Sequence, residues 1–318
     1  MEDFNNNNFK DIIGHENLIR QVVNSISSGT FSHAHLFIGE DGIGKSLIAK
    51  RIALAILGKD KDKQYADILE YRTAKNKQSI GVEEMENIII EINSKPYEGS
   101  KKVIIIYEAD KLTTASQNAF LKTIEEPPKG VYILLLCENS EYILDTIKSR
   151  CQIHKLERLS PNEITLFIRK KYSELSDNEI RSLSLLSDGI PGRAEQFLND
   201  ESFKEIRDNI LDILLNINNK IEPNKYEAFF SKYKGKWEEL LTWIVSYTRD
   251  VMIYKETGNE SLIINFDKSE NIKELSNMFS FNRLNGIINI VNDTRKKLIR
   301  NVNTSLVFEM MIINLQDN

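Results

Sequence analysis

The sequence predicts an α/β domain built on a parallel β-sheet, followed by two helical domains. In the first half, short apolar runs alternate with amphipathic helical patterns, which is typical of a parallel sheet covered by helices. One of these runs leads directly into a glycine-rich turn and then a helix. After about Lys155 the strand patterns end, and helical patterns continue to the last residues. We therefore expect domains at residues 1–157, 158–202 and 203–318.

Three apolar runs in the first domain are predicted to be buried strands, because they are short and flanked by turn residues. The predicted strands are His35–Ile38, Val103–Ile106 and Tyr132–Leu136. Helical periodicity predicts a helix from about Lys45 to a C-cap at Gly58, a helix over Val82–Asn93 and a helix over Leu112–Glu125. In the last of these helices, we expect Ala115, Ala119, Phe120, Thr123 and Ile124 to face the core.

The second half shows helical patterns only. Ser160 precedes Pro161, a combination that favours a helix beginning with proline at its first position. A small group of helices then runs to about Leu198 and is interrupted by Gly189–Gly192. From Phe203 onwards the pattern is almost wholly helical.

Composition excludes several classes of function. The chain has 318 residues, 41% hydrophobic and 28% charged, with a net charge of −5, so it lacks the basic field of a free-standing nucleic-acid binder. Its two cysteines, Cys137 and Cys151, are too few for a disulfide framework or a four-cysteine zinc site. No apolar stretch approaches the roughly 20 residues of a membrane span, and Met1–Asn5 do not resemble a signal peptide. We expect a cytoplasmic protein.

The segment Gly39-Glu-Asp-Gly-Ile-Gly-Lys-Ser46 matches the phosphate-binding loop pattern in the expected place between a strand and a helix. Glycines at Gly39, Gly42 and Gly44 allow backbone N–H groups to turn towards phosphate oxygens, and the helix N-terminus adds positive potential. Lys45 has the length to reach the β- and γ-phosphates, and the Ser46 hydroxyl is a magnesium ligand. The alternative is a glycine-rich turn that binds no ligand.

A working ATPase also needs an acidic residue at the end of a neighbouring strand to hold magnesium. The strand Val103–Ile106 is followed by Tyr107 and Glu108, where the usual pattern has aspartate and then glutamate. A neutral phenol is a poor substitute for a magnesium-holding carboxylate. Glu108 occupies the place of a catalytic base but is equally well explained as an ordinary carboxylate at a strand end. Hydrolysis by this chain alone is therefore doubtful.

Several blocks of sequence resemble the bacterial DNA polymerase III clamp-loader subunits of the AAA+ class, most strongly from Phe9 to Arg193. The blocks are Ile12-Ile-Gly-His15, His33-Ala-His-Leu-Phe37, Ala109-Asp-Lys-Leu-Thr113, Asn118-Ala-Phe-Leu-Lys-Thr-Ile-Glu-Glu-Pro-Pro128 and Thr146-Ile-Lys-Ser-Arg-Cys151. The resemblance implies that the first domain is an AAA+ nucleotide-binding domain with a phosphate loop, the second a helical lid and the third an all-α oligomerisation collar.

The same resemblance implies roles for particular residues. Arg150, in the Ser-Arg-Cys block, corresponds to an arginine finger that acts on the nucleotide of a neighbouring subunit. Arg193 corresponds to a lid arginine that senses the γ-phosphate of its own subunit. Glu138 and Asn139 fall where a first sensor would lie, although neither is the expected serine or threonine. The segment Gly58–Tyr65 lacks the four cysteines of the zinc module found in many relatives, so no metal site is predicted.

As a function, the resemblance implies a stator that supplies Arg150 to a neighbour and binds ATP with Mg²⁺ weakly or without turnover. The implied partners are the motor subunit (gamma or tau) and the delta subunit in a five-member ring. The sliding clamp and primer-template DNA would be met through that complex, and the polymerase chemistry belongs to another subunit. Two alternatives remain open: an ATP-hydrolysing motor subunit or other AAA+ ATPase, and a scaffold whose loop binds nothing.

Overall fold

A computed structural model describes residues 8–61, 63–74, 77–218, 226–300 and 302–317. The chain divides into two compact units, one drawn from Met1–Lys171 with Ser187–Gly192 and the other from Tyr172–Leu186 with Arg193–Asn318. Met1–Asn5, on which the expectation of no signal peptide rests, and Asp62 of the charged connection after Gly58 lie outside the described residues. The division into three domains stays a prediction.

The described part of the first unit contains a parallel five-stranded sheet in the order β2-β3-β4-β1-β5. The strands are β1 (Ala34–Ile38), β2 (Ile68–Tyr71), β3 (Lys102–Ile106), β4 (Val131–Cys137) and β5 (Gln152–Lys155). In this register Leu36 of β1 lies beside Leu135 of β4 and Ile153 of β5. Because β1 lies between β4 and β5, it sets the position of both neighbouring strand ends.

Helices cover both faces of this sheet. They are α1 (Glu16–Ser27), α2 (Lys45–Leu57), α3 (Val82–Asn93), α4 (Thr114–Glu125), the short α5 (Asp145–Lys148) and α6 (Pro161–Lys171). Side chains alternate along each strand, so Val103 and Ile105 pack with α1 and α2, while Ile104 and Ile106 pack with α3, α4 and α5. Both faces are buried, which explains why the strands read as continuous apolar runs.

The second unit is all-helical in its described residues. Its helices are α7 (Asp177–Leu186), most of α8 (Pro191–Asn199), α9 (Glu201–Asn216), α10 (Glu227–Lys232), α11 (Trp237–Thr257), α12 (Ser269–Met278), α13 (Phe281–Ile299) and α14 (Thr304–Asp317). Their apolar faces form one core, in which Leu240, Leu241 and Ile244 of α11 are buried. Within the described residues, no helix has the length and apolar character needed to cross a membrane.

The predicted fold class is confirmed, with corrections to individual elements. The helix predicted over Val82–Asn93, the C-cap at Gly58 and the start at Pro161 are confirmed. The helix predicted from Leu112 begins at Thr114, because Thr113 caps it by accepting a hydrogen bond from the N–H of Ser116. Strands β2 and β5 were not predicted, since each has only four residues and a polar or exposed pattern.

The buried face of α4 differs in part from the prediction, since Phe120, Thr123 and Ile124 are buried as predicted. Ala115 and Ala119 are exposed, whereas the polar Ser116 and Gln117 are buried. Both polar side chains satisfy backbone groups of neighbouring loops, so their burial is compensated by hydrogen bonds. Apolar periodicity alone does not reveal such a face.

Candidate functional site

The predicted phosphate loop lies at the carboxyl end of β1 and leads into the N-terminus of α2. Gly42 and Gly44 have φ of 77° and 110°, values that residues with a side chain rarely adopt. Among the described side chains, none caps α2, so its first-turn N–H groups face the loop. This arrangement of glycines and helix N-terminus fits a phosphate group.

A second turn, which contains Asp188 and Gly192, contacts the phosphate loop. The N–H of Gly192 donates to the carbonyl oxygen of Gly42 at 2.9 Å, and a Cβ at position 192 would come within 2.6 Å of the Gly42 Cα. The guanidinium of Arg158 binds both carboxylate oxygens of Glu40, at 2.5 and 2.8 Å, and also pairs with Asp188 of the second turn. The loop is therefore held by backbone contact and by an exposed ion-pair network.

Lys45 folds over its own loop. Its Nζ donates to the carbonyl oxygens of Gly39 at 2.6 Å and Glu40 at 2.9 Å. Burial lowers the pKa of the Lys45 ammonium, while the carboxylates of Glu138 and Asp41 act in the opposite direction. The side chain is thus positioned at the loop, and the two carbonyl contacts are the ones that a phosphate would replace. Ser46 follows in the first turn of α2.

Tyr107 occupies the place at the end of β3 where a magnesium-holding carboxylate is expected. Its side chain is only 3% exposed, and its hydroxyl donates to Glu70 at 2.6 Å. Burial, followed by this hydrogen bond to Glu70, raises the pKa of the phenol, which keeps it neutral. The guanidinium of Arg72 lies over the ring, 3.6 Å from its centre. These residues do not fit a magnesium ion, because a divalent cation prefers free anionic oxygens.

Glu108 adopts a left-handed backbone conformation, with φ of 50°. Its carboxylate forms an ion pair with Lys111, and this hydrogen bond lowers the pKa of the carboxyl. The side chain therefore stays ionised, and a lysine holds it at the strand end. Its proposed part as a catalytic base stays a prediction.

Glu138 and Asn139, at the predicted first-sensor position, are hydrogen-bonded to the segment that follows β3. One carboxylate oxygen of Asp110 accepts hydrogen bonds from the backbone N–H groups of Glu138 and Asn139, both at 3.2 Å. Burial raises the pKa of the Glu138 carboxyl, and Lys45 opposes this shift. Glu138, Asp110 and Lys45 thus form one electrostatic group at the carboxyl edge of the sheet.

Arg150 lies between α5 and the first residue of β5. Its Nη2 donates to Glu125 Oε2 at 3.0 Å, and its Nη1 donates to the carbonyl oxygen of Thr146 at 3.0 Å. The side chain is 32% exposed. Glu125 ends α4 within the Leu-Lys-Thr-Ile-Glu-Glu-Pro-Pro run, so the two most distinctive blocks of the sequence meet through this ion pair.

The phosphate loop and Arg150 lie at opposite edges of the same sheet. In a parallel sheet every strand runs in one direction, so Gly39 follows β1 at the carboxyl edge and Arg150 precedes β5 at the amino edge. The five residues of β1 alone span about 17 Å. Arg150 therefore does not reach the phosphate loop of its own chain.

The structure brings Gly39, Gly42, Gly44, Lys45, Ser46 and Glu108 to the carboxyl edge and places Arg150 at the amino edge. Arg193 lies in the first turn of α8 and belongs to the second unit, so its predicted role towards phosphate stays a prediction. Arg72, Glu70 and Arg158 were missed, because they follow or lie in weakly patterned strands. Gln117 was missed because a helical pattern does not reveal that its amide is buried.

Comparison with known proteins gives two family matches in succession along the chain. Residues 14–160 match a family described as DNA polymerase III, delta subunit, and residues 201–317 match DNA polymerase III, delta subunit, C terminal. The DNA polymerase III subunit delta' of Bacillus subtilis is 27% identical over 94% of this chain and 95% of its own length. The subunit gamma of Buchnera aphidicola subsp. Schizaphis graminum is also 27% identical, over 96% of this chain and 94% of its own length.

The DNA polymerase III subunit tau of Bacillus subtilis is 24% identical over 96% of this chain, which spans 61% of that longer relative. A crystal structure of a DNA polymerase III gamma subunit-related protein from Thermotoga maritima aligns with a TM-score of 0.49 and 18% identity, covering 93% of this chain and 99% of that one.

The parallel sheet with a phosphate loop between β1 and α2 defines an α/β P-loop protein. The two family matches together cover most of the chain and leave out residues 1–13, 161–200 and 318. The chain belongs to the clamp-loader family of DNA polymerase III subunits.

Proposed function

We propose that this chain is a delta-prime-type stator, which donates Arg150 to an ATP bound by a neighbouring subunit of the clamp loader. The observation that carries the proposal is the position of Arg150 at the amino edge of the sheet, at the opposite edge from its own phosphate loop. An arginine so placed can act only on a nucleotide held by another chain. Heterologous contacts in a ring bring such unlike surfaces of two subunits together.

The chemistry suits a guanidinium. Negative charge spreads over the oxygens of the transferring phosphoryl group, and a planar cation with several N–H donors stabilises it. Arg150 is already oriented by Glu125 and by the carbonyl oxygen of Thr146. Its partial exposure leaves the guanidinium accessible to a phosphate of the neighbouring subunit.

The chain's own phosphate loop supports nucleotide binding without turnover. Gly42, Gly44 and the N-terminus of α2 would hold the phosphates, with Lys45 moving from its loop carbonyls to a phosphate oxygen. When bound, the nucleotide would supply a ligand that orders this edge of the sheet. Tyr107 in place of a carboxylate argues against hydrolysis at this site.

The partners follow from the proposed role. A motor subunit of the gamma or tau type and a delta subunit would complete a five-member ring with this chain. The sliding clamp and primer-template DNA would be met through that ring, and the polymerase chemistry would belong to another protein. This role predicts a cytoplasmic location.

The test is ATP hydrolysis by a reconstituted loader in which the motor subunits carry alanine in place of their own finger arginine. In that loader, Arg150→Ala is expected to lower clamp- and DNA-stimulated hydrolysis by about 10³-fold or more, because hydrolysis then depends on Arg150. Arg20→Ala, which removes an exposed arginine of α1, is the matched control. An unchanged rate with Arg150→Ala in a fully assembled ring would contradict the stator role.

A motor subunit is the second candidate, and the intact Gly39–Ser46 loop together with Glu108 favours it. Subunit gamma of Buchnera is as similar to this chain as subunit delta' of Bacillus. Steady-state phosphate release from the purified chain separates the two candidates. Appreciable turnover without partners would favour the motor role, whereas the stator role predicts none.

A further inference from the structure

Four side chains form a cluster where the magnesium site of a P-loop ATPase is expected. Tyr107 and Arg72 are the first residues after the paired ends of β3 and β2, since Tyr71 lies beside Ile106. Tyr107 donates its hydroxyl to Glu70, and Lys50 of α2 also pairs with Glu70 at 3.3 Å. Arg72 lies flat over the Tyr107 ring.

All four side chains lie on the face of the sheet that α2 covers. Tyr107 packs in the core that includes α2, and strand register places Glu70 and Arg72 on the same face as Tyr107. Ser46 and Lys50 are four residues apart on α2 and therefore share one side of that helix. The cluster thus lies beside the helix turn that carries the predicted magnesium-ligating hydroxyl.

The charges of this cluster disfavour a divalent cation. Lys50 and Arg72 bring two positive charges, and Glu70 brings one negative charge that the Tyr107 hydroxyl and Lys50 already engage. Within the residues that the structure describes, no group of three or more carboxylate, imidazole or thiolate side chains is arranged to hold a metal. A cation entering this cluster would meet two like charges and only one carboxylate, Glu70, which Tyr107 and Lys50 already engage.

The same charges favour a phosphate. Arg72 is exposed, so its guanidinium carries its charge at the surface of the cluster, and its contact with the Tyr107 ring holds it there. Arginine recognises phosphate oxygens through its planar set of N–H donors. A guanidinium at the same carboxyl edge of the sheet as the phosphate loop would supply the positive charge that the metal supplies in a hydrolysing site.

We propose that the phosphate loop of this chain binds a nucleoside di- or triphosphate without a divalent metal, and that Arg72 provides the cationic partner of its phosphates. This inference rests on the part of the proposed function in which the chain's own loop binds nucleotide. It is independent of the role of Arg150 in trans. The site would be a metal-free nucleotide site within a family whose hydrolysing members need the metal.

The test is equilibrium binding of a fluorescent ADP and of a non-hydrolysable ATP analogue to the full chain, in magnesium and in EDTA. For the wild-type chain we expect the same affinity in both conditions, within about twofold. Arg72→Gln is expected to weaken binding in EDTA by about tenfold, because one charge-assisted hydrogen bond is lost. Arg20→Gln is the matched control and is expected to bind as the wild type does.

The variant Tyr107→Asp provides the converse test, since it restores the carboxylate. Magnesium is expected to tighten nucleotide binding to this variant by about tenfold. Because Tyr107 is buried, circular dichroism must first show that Tyr107→Asp is folded. If this variant does not fold, the comparison of Arg72→Gln with the wild-type chain is the test.

The inference is wrong if magnesium tightens binding to the wild-type chain about tenfold or more, or if Arg72→Gln and Arg20→Gln bind alike in EDTA. It is also wrong if the wild-type chain binds no nucleotide in either condition. In that last case the stator role of Arg150 would still stand, because it does not require nucleotide in the chain's own loop.

Discussion

The two edges of the sheet carry different features of an ATPase site: the phosphate loop lies at the carboxyl edge and Arg150 at the amino edge. At the carboxyl edge, the phosphate loop is complete, but Tyr107 and Arg72 occupy the place of the metal site. At the amino edge, Arg150 is held by Glu125 in a geometry suited to presenting a guanidinium. The comparison teaches that the residues proposed for phosphate binding and for the arginine finger lie at different strand ends, so each can be changed separately.

Both edges depend on β1, which pairs with β4 and β5. It runs directly into the phosphate loop, and it pairs with β5, whose first residue lies two positions after Arg150. A change that disturbs one edge without disturbing β1 should therefore leave the other edge intact. The following predictions use this separation, from the largest expected effect to the smallest.

Gln117→Ala should give the largest loss of stability, because Gln117 fixes the segment that leads from β4 to α5. The buried amide, 2% exposed, donates to the carbonyl oxygens of Leu112 and Tyr142 and accepts from the N–H of Leu144. Its loss leaves these backbone groups unpaired, so we expect a loss of about 3 kcal/mol in the free energy of unfolding, measured with urea.

Because Leu144 immediately precedes α5, Gln117→Ala should also displace Arg150 and lower loader-stimulated hydrolysis. Nucleotide affinity of the phosphate loop should change little. The neighbouring amide variant Asn118→Ala, at an exposed position of α4, is the control. Equal effects of the two variants would show that the buried amide has no such role.

Gly192→Ala should act on the carboxyl edge. The new Cβ would approach the Gly42 Cα to 2.6 Å and the Gly42 carbonyl oxygen to 3.0 Å, so backbone must move. We expect a loss of about 2 kcal/mol in stability, together with weaker ADP binding. Gly99→Ala, where the added Cβ meets nothing within 4 Å, should be neutral. Unchanged ADP affinity in folded Gly192→Ala would separate the second turn from the phosphate loop.

Mild acid should weaken the sheet that joins the two edges. His154 Nε2 lies 2.9 Å from His35 Nδ1, both rings are buried, and His35 Nε2 lies 3.0 Å from the Ser32 carbonyl oxygen. Burial lowers the pKa of His35 to about 3 and that of His154 to about 4. Protons therefore bind the unfolded chain first.

The sign of the effect follows from these lowered pKa values. Stability is fully present above the unfolded pKa of about 6.5 and is lost as the pH falls towards 4 and then 3. Between about pH 7.5 and about pH 5.5 we expect a loss on the order of 1 kcal/mol for each histidine. Urea unfolding of the wild type and of His154→Phe measures it. Parallel pH profiles for the two proteins would rule out the pair as the cause.

Glu125→Gln should have the smallest effect on stability. An exposed ion pair contributes about 0–1 kcal/mol, so the urea midpoint should hardly move. The neutral amide still accepts a hydrogen bond from Arg150 but holds it less firmly. We expect a severalfold lower stimulated rate in the loader with an unchanged nucleotide KM, and Glu126→Gln, at the neighbouring exposed carboxylate, as the control. A changed KM with an unchanged rate would show that Glu125 does not position the finger.

Much of the carboxyl edge could be predicted from the sequence, because the phosphate loop is a continuous segment whose glycines and lysine have defined tasks. The strands leading to it are long apolar runs, and their burial on both faces makes them conspicuous. The amino edge was predicted only through a resemblance, since Arg150 alone looks like a surface arginine.

The parts that sequence did not predict are contacts between distant segments. Arg72 and Glu70 meet Tyr107 because β2 pairs with β3, yet β2 has four residues and no clear alternation. Gln117 is buried because three backbone groups surround its amide, which a helical pattern does not reveal. Pairing of strands and satisfaction of buried polar groups are tertiary properties, so local patterns miss them.

The central claim is that this chain acts through Arg150 rather than through its own phosphate loop. Its most direct test compares Arg150→Ala with Lys45→Ala in the reconstituted loader whose motor subunits lack their own finger arginine. Arg150→Ala is expected to lower the stimulated rate of ATP hydrolysis by about 10³-fold or more, whereas the Lys45→Ala loader is expected to retain most of the wild-type rate. The reverse result, in which Lys45→Ala abolishes hydrolysis and Arg150→Ala leaves it intact, would contradict the account.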